Sequence, residues 1–188
     1  NKIITGGEGG VVTTNNKKIA NKVRLLSKMG IDRDPWTRKR NLNKWQYEVN
    51  ELGFKYNITD IQSSIILEQL KKLDKIIKQR KKIQSYYNQK LKNLFLKKLI
   101  FSMYIKKNID ISPYIYTIRL NENKINISRD QLIKQLEKKK ISAVVHYIPT
   151  NKLNFYKSKM KFPLLKNTLK TFQNIISLPF HNKLSKKE

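Results

Sequence analysis

The apolar positions of the chain follow two periodicities that alternate along its length. Near the amino end, Gly6-Gly7-Glu8-Gly9-Gly10 passes into the β-branched run Val11-Val12-Thr13-Thr14, which predicts a turn and then a strand. Asn15 or Asn16 can cap a helix whose stripe is Ile19, Ala20, Val23, Leu25, Leu26 and Met29, and Gly30 supplies its stop. Residues 31–57 keep neither period and carry Pro35, Trp36, Trp45, Tyr47, Phe54 and Tyr56 among charges. A long aromatic loop of this kind is expected to serve function or to pack on a partner. Thr59-Asp60-Ile61-Gln62 has the order of a capping box, and from there Ile61, Ile65, Ile66, Leu70, Leu73, Ile76, Ile77 and Ile83 hold an apolar stripe to roughly Leu94. That is a helix of about nine turns, long enough to connect two domains.

Beyond it the period changes. Residues 99–105 and 114–120 read as strands, with a turn-rich stretch between them. Ser128-Arg129-Asp130-Gln131 is a second capping box, opening a helix with Leu132, Ile133 and Leu136 on its inner face. Residues 141–148 then read as a buried strand, 164–172 as a helix, and 175–178 as a short strand before Pro179. Strands gathered around the one helix at 128–137 predict a small α+β unit. No internal repeat is found.

Composition narrows the function classes. The 188 residues carry 41 basic and 13 acidic side chains, a formal charge of +28, with 39% hydrophobic and 10% aromatic residues. That apolar content supports a packed core. With no cysteine, disulfide scaffolds, thiolate metal sites and thiol nucleophiles are excluded, and no metal site is expected. No apolar run approaches the ~20 residues that span a bilayer, and the amino end lacks the layout of a signal peptide, so a cytoplasmic chain with no membrane partner is expected. The charge itself points to polyanions. Yet 34 of the 41 cations are Lys and 7 are Arg, whereas base-edge and phosphate recognition favours the planar guanidinium. Lys71-Lys72, Lys81-Lys82 and Lys138-Lys139-Lys140 fall on helix faces opposite the apolar stripe, where solvated charge belongs. No specific nucleic-acid partner is expected. The alternative, a basic module for nucleic acid or acidic surfaces, would declare itself by salt-dependent retention on DNA with sequence preference.

Seven segments, in order and in spacing, resemble the DegT/DnrJ/StrS family of sugar aminotransferases. They are KIITGGEGGVVTT at 2–14, GIDRD at 30–34, YEVNELGFKYNITDIQSS at 47–64, LEQLKKLD at 67–74, SRDQLIKQLE at 128–137, VVHYIP at 144–149 and SLPF at 177–180. The resemblance implies an α/β, aspartate-aminotransferase-like (fold type I) architecture with pyridoxal 5'-phosphate as cofactor. Residues 1–68 would be the end of the cofactor-binding large domain, 69–95 a connecting helix, and 96–188 the small α+β domain. It implies transamination of a nucleotide-linked keto-sugar, with glutamate as amino donor, in amino-sugar or surface-polysaccharide biosynthesis. Lys2 opens the glycine-rich motif and is implied as the Schiff-base lysine and proton shuttle, a role for which the chemistry needs an amine. Asn57 stands where family members place a residue that reaches the cofactor phosphate of a neighbouring subunit, which implies a homodimer with a shared active site. His146 and Tyr147 resemble a segment lining the nucleotide-sugar pocket. Read from the residues alone, Lys2 would be a solvated charge, Asn57 a loop amide tying off a helix start, and His146 a strand-end histidine with a satisfied partner.

The chain also departs from the family pattern. Met29, Tyr114 and Asn151 stand where a His is usual or frequent, Ser63-Ser64 replaces a usual Ala pair, and Lys140 occupies a helix end that is commonly Gly. A left-handed backbone at Lys140 would cost about 1 kcal/mol. The carboxylate facing the pyridine nitrogen and the ring-stacking residue, which the family carries ahead of its lysine, are not identifiable. The expectation is a carboxyl-terminal half that is inactive as an isolated polypeptide, or alternatively a non-catalytic remnant.

Overall fold

The computed structural model describes residues 2–31, 47–106 and 108–185. The expectations placed on Pro35, Trp36 and Trp45 lie outside the described residues. The chain divides into two compact units, one made of residues 1–3 with 73–188 and the other of Ile4–Lys72.

In the unit of residues 4–72, the β-branched run at 11–14 forms no strand; Val11 and Val12 are exposed. A β-run without a partner has nowhere to place its backbone hydrogen bonds except water. Helix α1 spans Lys17–Ser27, and the Asn16 side chain accepts hydrogen bonds from the Lys18 and Ile19 amides. The chain leaves α1 through two left-handed residues, Met29 (φ 63°) and Gly30 (φ 71°), with the Gly30 amide returning to the Leu25 carbonyl at 3.0 Å. The segment around Gly53 then packs against this helix end. The Phe54 amide donates to Leu26 O (2.7 Å), Met29 N to Phe54 O (2.9 Å) and Tyr56 N to Ser27 O (2.9 Å). Only glycine permits that approach, because a Cβ on residue 53 would lie 2.2 Å from the Gly30 nitrogen and 2.5 Å from the Met29 carbonyl carbon. Helix α2, Asp60–Lys71, starts at the expected capping box.

The expected nine-turn helix is three helices: α2, then α3 at Leu73–Lys90 and α4 at Lys92–Leu96. At Lys72 and again at Leu94 the amide bonds three residues back, to Gln69 O and Leu91 O, tightening the turn where an unbroken α-helix would continue.

The other unit holds the core. Strands β1 (Ile100–Ser102), β2 (Tyr116–Leu120) and β3 (Ile175–Leu178) form an antiparallel sheet in the order β1-β2-β3. Leu120 pairs with Ile100, and Ile118 with both Ser102 and Ile176. The central strand is buried on both faces, so its apolar residues run on instead of alternating. Ile100, Tyr116, Ile118, Leu120, Ala143, Ile176 and Phe180 make the core, with Ile83 and Tyr87 of α3, Phe95 of α4, and Leu132, Ile133 and Leu136 of α5 (Arg129–Lys138) packed against it. Each fully buried large side chain contributes about 1.5–3 kcal/mol. Ser128 and Gln131 form the second capping box at the head of α5. Residues 141–148 do not form the expected buried strand: Val144 alone pairs, with Ser177, and Ile141, Val144, Tyr147 and Ile148 are exposed. A 3-10 turn at Thr150–Lys152, helix α6 (Asn154–Lys159) and helix α7 (Lys166–Asn174) complete the unit.

Candidate active site

Lys2 belongs to the unit that holds the core, and its ammonium lies 4.9 Å from the centre of the Tyr114 ring. The side chain is exposed, and among the described residues no carboxylate pairs with it. Tyr114 precedes β2 by two residues, directly after the fully buried Pro113. Its carbonyl accepts a 3.0 Å hydrogen bond from Nη1 of Arg80, a buried α3 residue whose guanidinium also lies 5.4 Å from the Phe180 ring. Burial holds that guanidinium below its ordinary pKa. The backbone of Tyr114 is thereby tied to the helix while its ring faces outward.

The Tyr114 hydroxyl lies 3.2 Å from that of Tyr147, and this hydrogen bond, followed by desolvation, pushes the Tyr147 phenol above its usual pKa. Tyr147 in turn stacks edge-on against His146, with ring centres 4.7 Å apart. His146 Nδ1 lies 2.7 Å from the hydroxyl of Ser177, which is buried in β3. Two backbone bonds, Val144 N to Ser177 O (3.1 Å) and Ser177 N to Val144 O (2.8 Å), fasten this segment to the sheet. Contacts thus run from β3 through Ser177, His146, Tyr147 and Tyr114 to the Lys2 amine.

The structure therefore brings together three of the four residues singled out from the sequence, Lys2, His146 and Tyr147. His146 does have the satisfied partner that its residue-level reading expected, namely Ser177. Tyr114, noted in the sequence only as a departure, is the group that joins them. Tyr114 lies over 100 residues from Lys2 along the chain, and no local pattern announces such a contact.

Asn57 belongs to the other unit and is exposed, two residues before the Thr59 N-cap of α2. It does not tie off the helix. That task falls to Thr59, whose hydroxyl accepts from the Gln62 amide (3.2 Å) while the Gln62 side chain accepts from the Thr59 amide (3.3 Å). Among the described residues the Asn57 side-chain amide has no hydrogen-bond partner. The glycine-rich turn packs on the same helix, through the Gln62 side-chain amide to Glu8 O at 3.3 Å, and Gly6 lies so close that a Cβ would sit 2.7 Å from Ile66.

A primary amine that has no ion pair among the described residues and lies over an aromatic ring fits an aldehyde cofactor, and an exposed amide two residues ahead of a helix cap fits an anionic group. Among the described residues no three His, Asp or Glu side chains cluster as a metal site would need, and no helix is long and apolar enough to cross a membrane. A groove of about 780 Å³ along α3, lined by Ile77, Lys81, Tyr86 and Leu184 among others, shares no residue with the Lys2 cluster.

The model of the DegT/DnrJ/EryC1/StrS aminotransferase family matches residues 1–188, and the chain belongs to that family. It is 38% identical to the uncharacterised protein MJ1066 of Methanocaldococcus jannaschii and 28% identical to the spore coat polysaccharide biosynthesis protein SpsC of Bacillus subtilis. Each match covers 98% of this chain and 47% of the relative. Among solved structures, Spr1654 of Streptococcus pneumoniae, named as a sugar aminotransferase and solved in its PMP-form, superposes with a TM-score of 0.76 at 28% identity, covering 95% of this chain and 44% of that one. The chain spans about half the length of the curated relatives it matches.

Proposed function

We propose that this chain comprises the end of the large domain, the connecting helical segment and the small domain of a pyridoxal-phosphate-dependent aminotransferase, although Lys2 itself packs with the small-domain unit. The proposed substrates are a nucleotide-linked keto-sugar and an amino donor, glutamate, in amino-sugar or surface-polysaccharide biosynthesis. The observation that carries this reading is the Lys2 amine, which among the described residues has no ion pair and lies against Tyr114, itself linked through Tyr147 to His146, in a chain whose family is that of aminotransferases. SpsC, a polysaccharide biosynthesis protein, supports the sugar substrate, and the PMP- and PLP-forms of Spr1654 support the cofactor.

When bound, the cofactor supplies a carbonyl that amines attack and a conjugated ring that takes up the electron pair left as a carbon–hydrogen bond breaks. In this reading Lys2 would hold the cofactor through its side-chain amine. The Lys2 Nζ, when not engaged in holding the group, would be the base that takes and returns the proton of the donor carbon. Tyr147 and His146 line the acceptor side, where a phenol hydroxyl can bond sugar hydroxyls and an aromatic edge can pack on a ring. Asn57 would hold the cofactor phosphate of a neighbouring subunit, which would make the active site one shared in a homodimer. The carboxylate partner of the pyridine nitrogen would be supplied by polypeptide outside these 188 residues. The proposed protein works in the cytoplasm.

The test is covalent trapping. The chain is produced with the remaining half of the aminotransferase joined at its amino end, incubated with pyridoxal phosphate, reduced with borohydride and digested. The expected result is pyridoxyl mass on the peptide containing Lys2, lost in Lys2→Ala together with transamination. Pyridoxyl mass retained on another lysine, or none in the unaltered protein, overturns the proposal.

A further inference from the structure

We propose that Tyr114 is a positioning residue for Lys2: its ring is the seat on which the free ammonium rests, and the Tyr147 hydroxyl holds that ring in place. The inference deepens the aminotransferase reading and takes its catalytic meaning from it. A lysine that is released and recaptured in every turnover faces a difficulty of reach. Its four-carbon stem is flexible, and here the side chain is exposed with no carboxylate among the described residues to hold it. The Tyr114 ring, 4.9 Å from Nζ, offers the one kind of hold that leaves all three N–H donors available, the negative face of a π-system. Such a contact at an exposed site favours the seated stem over the free one by about two- to five-fold.

The seat is fixed at both ends. Arg80 bonds the Tyr114 carbonyl at 3.0 Å, tying its backbone to α3, and Tyr147 bonds its hydroxyl at 3.2 Å. Tyr147 is in turn braced by His146, whose Nδ1 lies 2.7 Å from the buried Ser177 hydroxyl. A ring held only by its backbone would sweep through its rotamers, and the amine would follow it. Held at its hydroxyl as well, it returns Lys2 to one place.

The readout is the ring current that a proton above an aromatic face experiences. In the full chain labelled with ¹³C-lysine, the Lys2 ε-methylene correlation, identified by its loss in Lys2→Arg, is expected upfield of the other lysines. Tyr114→Leu should return it to the position of an unconstrained lysine. Tyr114→Phe should retain the shift, because the ring face remains, but in weakened form, because the hydroxyl tether is gone. Tyr147→Phe, which leaves Tyr114 and its Arg80 anchor intact, should weaken it in the same way. An unshifted Lys2 in the unaltered chain, or a shift that survives Tyr114→Leu, overturns the seat; a shift that Tyr147→Phe leaves unchanged overturns the tether. The borohydride experiment separates this from the aminotransferase reading: a ring-current shift without pyridoxyl mass on Lys2 keeps the seat and defeats the enzyme, and the converse keeps the enzyme and defeats the seat.

Discussion

Replacing Lys140 with glycine should stabilise the chain, and the reason lies in how α5 ends. Lys140 follows the helix with φ at 61°, in the left-handed region. Its amide bonds Glu137 O at 2.8 Å, and the Ile141 amide reaches back to Leu136 O at 2.9 Å, the paired bonds of a Schellman ending. A side-chain-bearing residue in that conformation is penalised by roughly 1–2 kcal/mol through contact of its Cβ with the carbonyl oxygen. Glycine escapes the penalty but has more freedom to lose from the unfolded chain, which costs about 0.5–1 kcal/mol. The difference leaves a net gain of about 0.5–1 kcal/mol, because the Lys140 side chain is exposed and little packing is lost. Removing a cation from a chain of +28 also relieves self-repulsion, so Lys140→Ala is the control: it drops the charge and keeps the Cβ. Urea unfolding followed by circular dichroism at fixed pH and salt should rank Lys140→Gly above both the parent and Lys140→Ala. A glycine variant no more stable than the alanine variant would refute the backbone argument. Lys98 (φ 54°) ends α4 in the same way, with Lys98 N to Phe95 O and Leu99 N to Leu94 O, and the two glycine substitutions share no hydrogen bond, so their gains should add.

Two further outcomes follow from packing. Burial and the neighbouring Tyr87 push the Tyr116 phenol up to about 12, and its hydroxyl donates to Asn88 Oδ1 at 2.7 Å. The folded state therefore keeps a proton that the unfolded chain releases near pH 10, so this contribution is intact below pH 10 and falls as pH rises from 10 towards 12, by on the order of 3 kcal/mol in all. Tyr116→Phe should be less stable at neutral pH by about 1 kcal/mol yet lose less between pH 10 and 12; an identical alkaline slope in parent and variant would contradict this. Gly53→Ala would place a Cβ 2.2 Å from the Gly30 nitrogen and 2.9 Å from Leu26 O, both backbone atoms that cannot swing aside. Hydrogen exchange should show the Met29, Phe54 and Tyr56 amides losing protection as that approach opens, while unchanged protection would mean the backbone adjusts at no cost.

What could be read from the sequence follows the range of the forces involved. Both capping boxes span four residues and stand as expected, at Thr59–Gln62 and Ser128–Gln131. The strand at Ile175–Leu178 was legible because Pro179 is a local signal, and the left-handed Lys140 because the family resemblance commonly has Gly at that helix end. The runs at 11–14 and 141–148 misled because β-branched residues state a preference and not a partner; the first finds none among the described residues, and the second finds only Ser177. The single long helix failed for another reason, since an apolar stripe continues smoothly through one tightened turn and so cannot mark the breaks at Lys72 and Leu91. Lys2 was legible only through its motif, as one of 34 lysines. Its contact with Tyr114, and the link through Tyr147 and His146 to Ser177, join segments far apart in sequence, and nothing in either segment names the other.

The two parts of the proposed site rest on different physics. Tyr114 is bound through Arg80 to α3, and Tyr147 leads through His146 to Ser177 in β3, so both are braced by the unit that contains every residue of the hydrophobic core. Asn57 has no such support. Among the described residues of its unit only Gly6 and Gly30 are buried, while Leu52 is 93% exposed, Ile61 76% and Tyr56 72%. Apolar surface on that scale is what a chain presents to an interface, and it is costly to leave in water at about 25 cal/mol per Å². If Asn57 serves a cofactor phosphate in a shared site, the surface around it must be covered by other protein for the amide to be held still. Covering that surface and fixing Asn57 are then one event, whereas the seat of Lys2 is already built into its own unit.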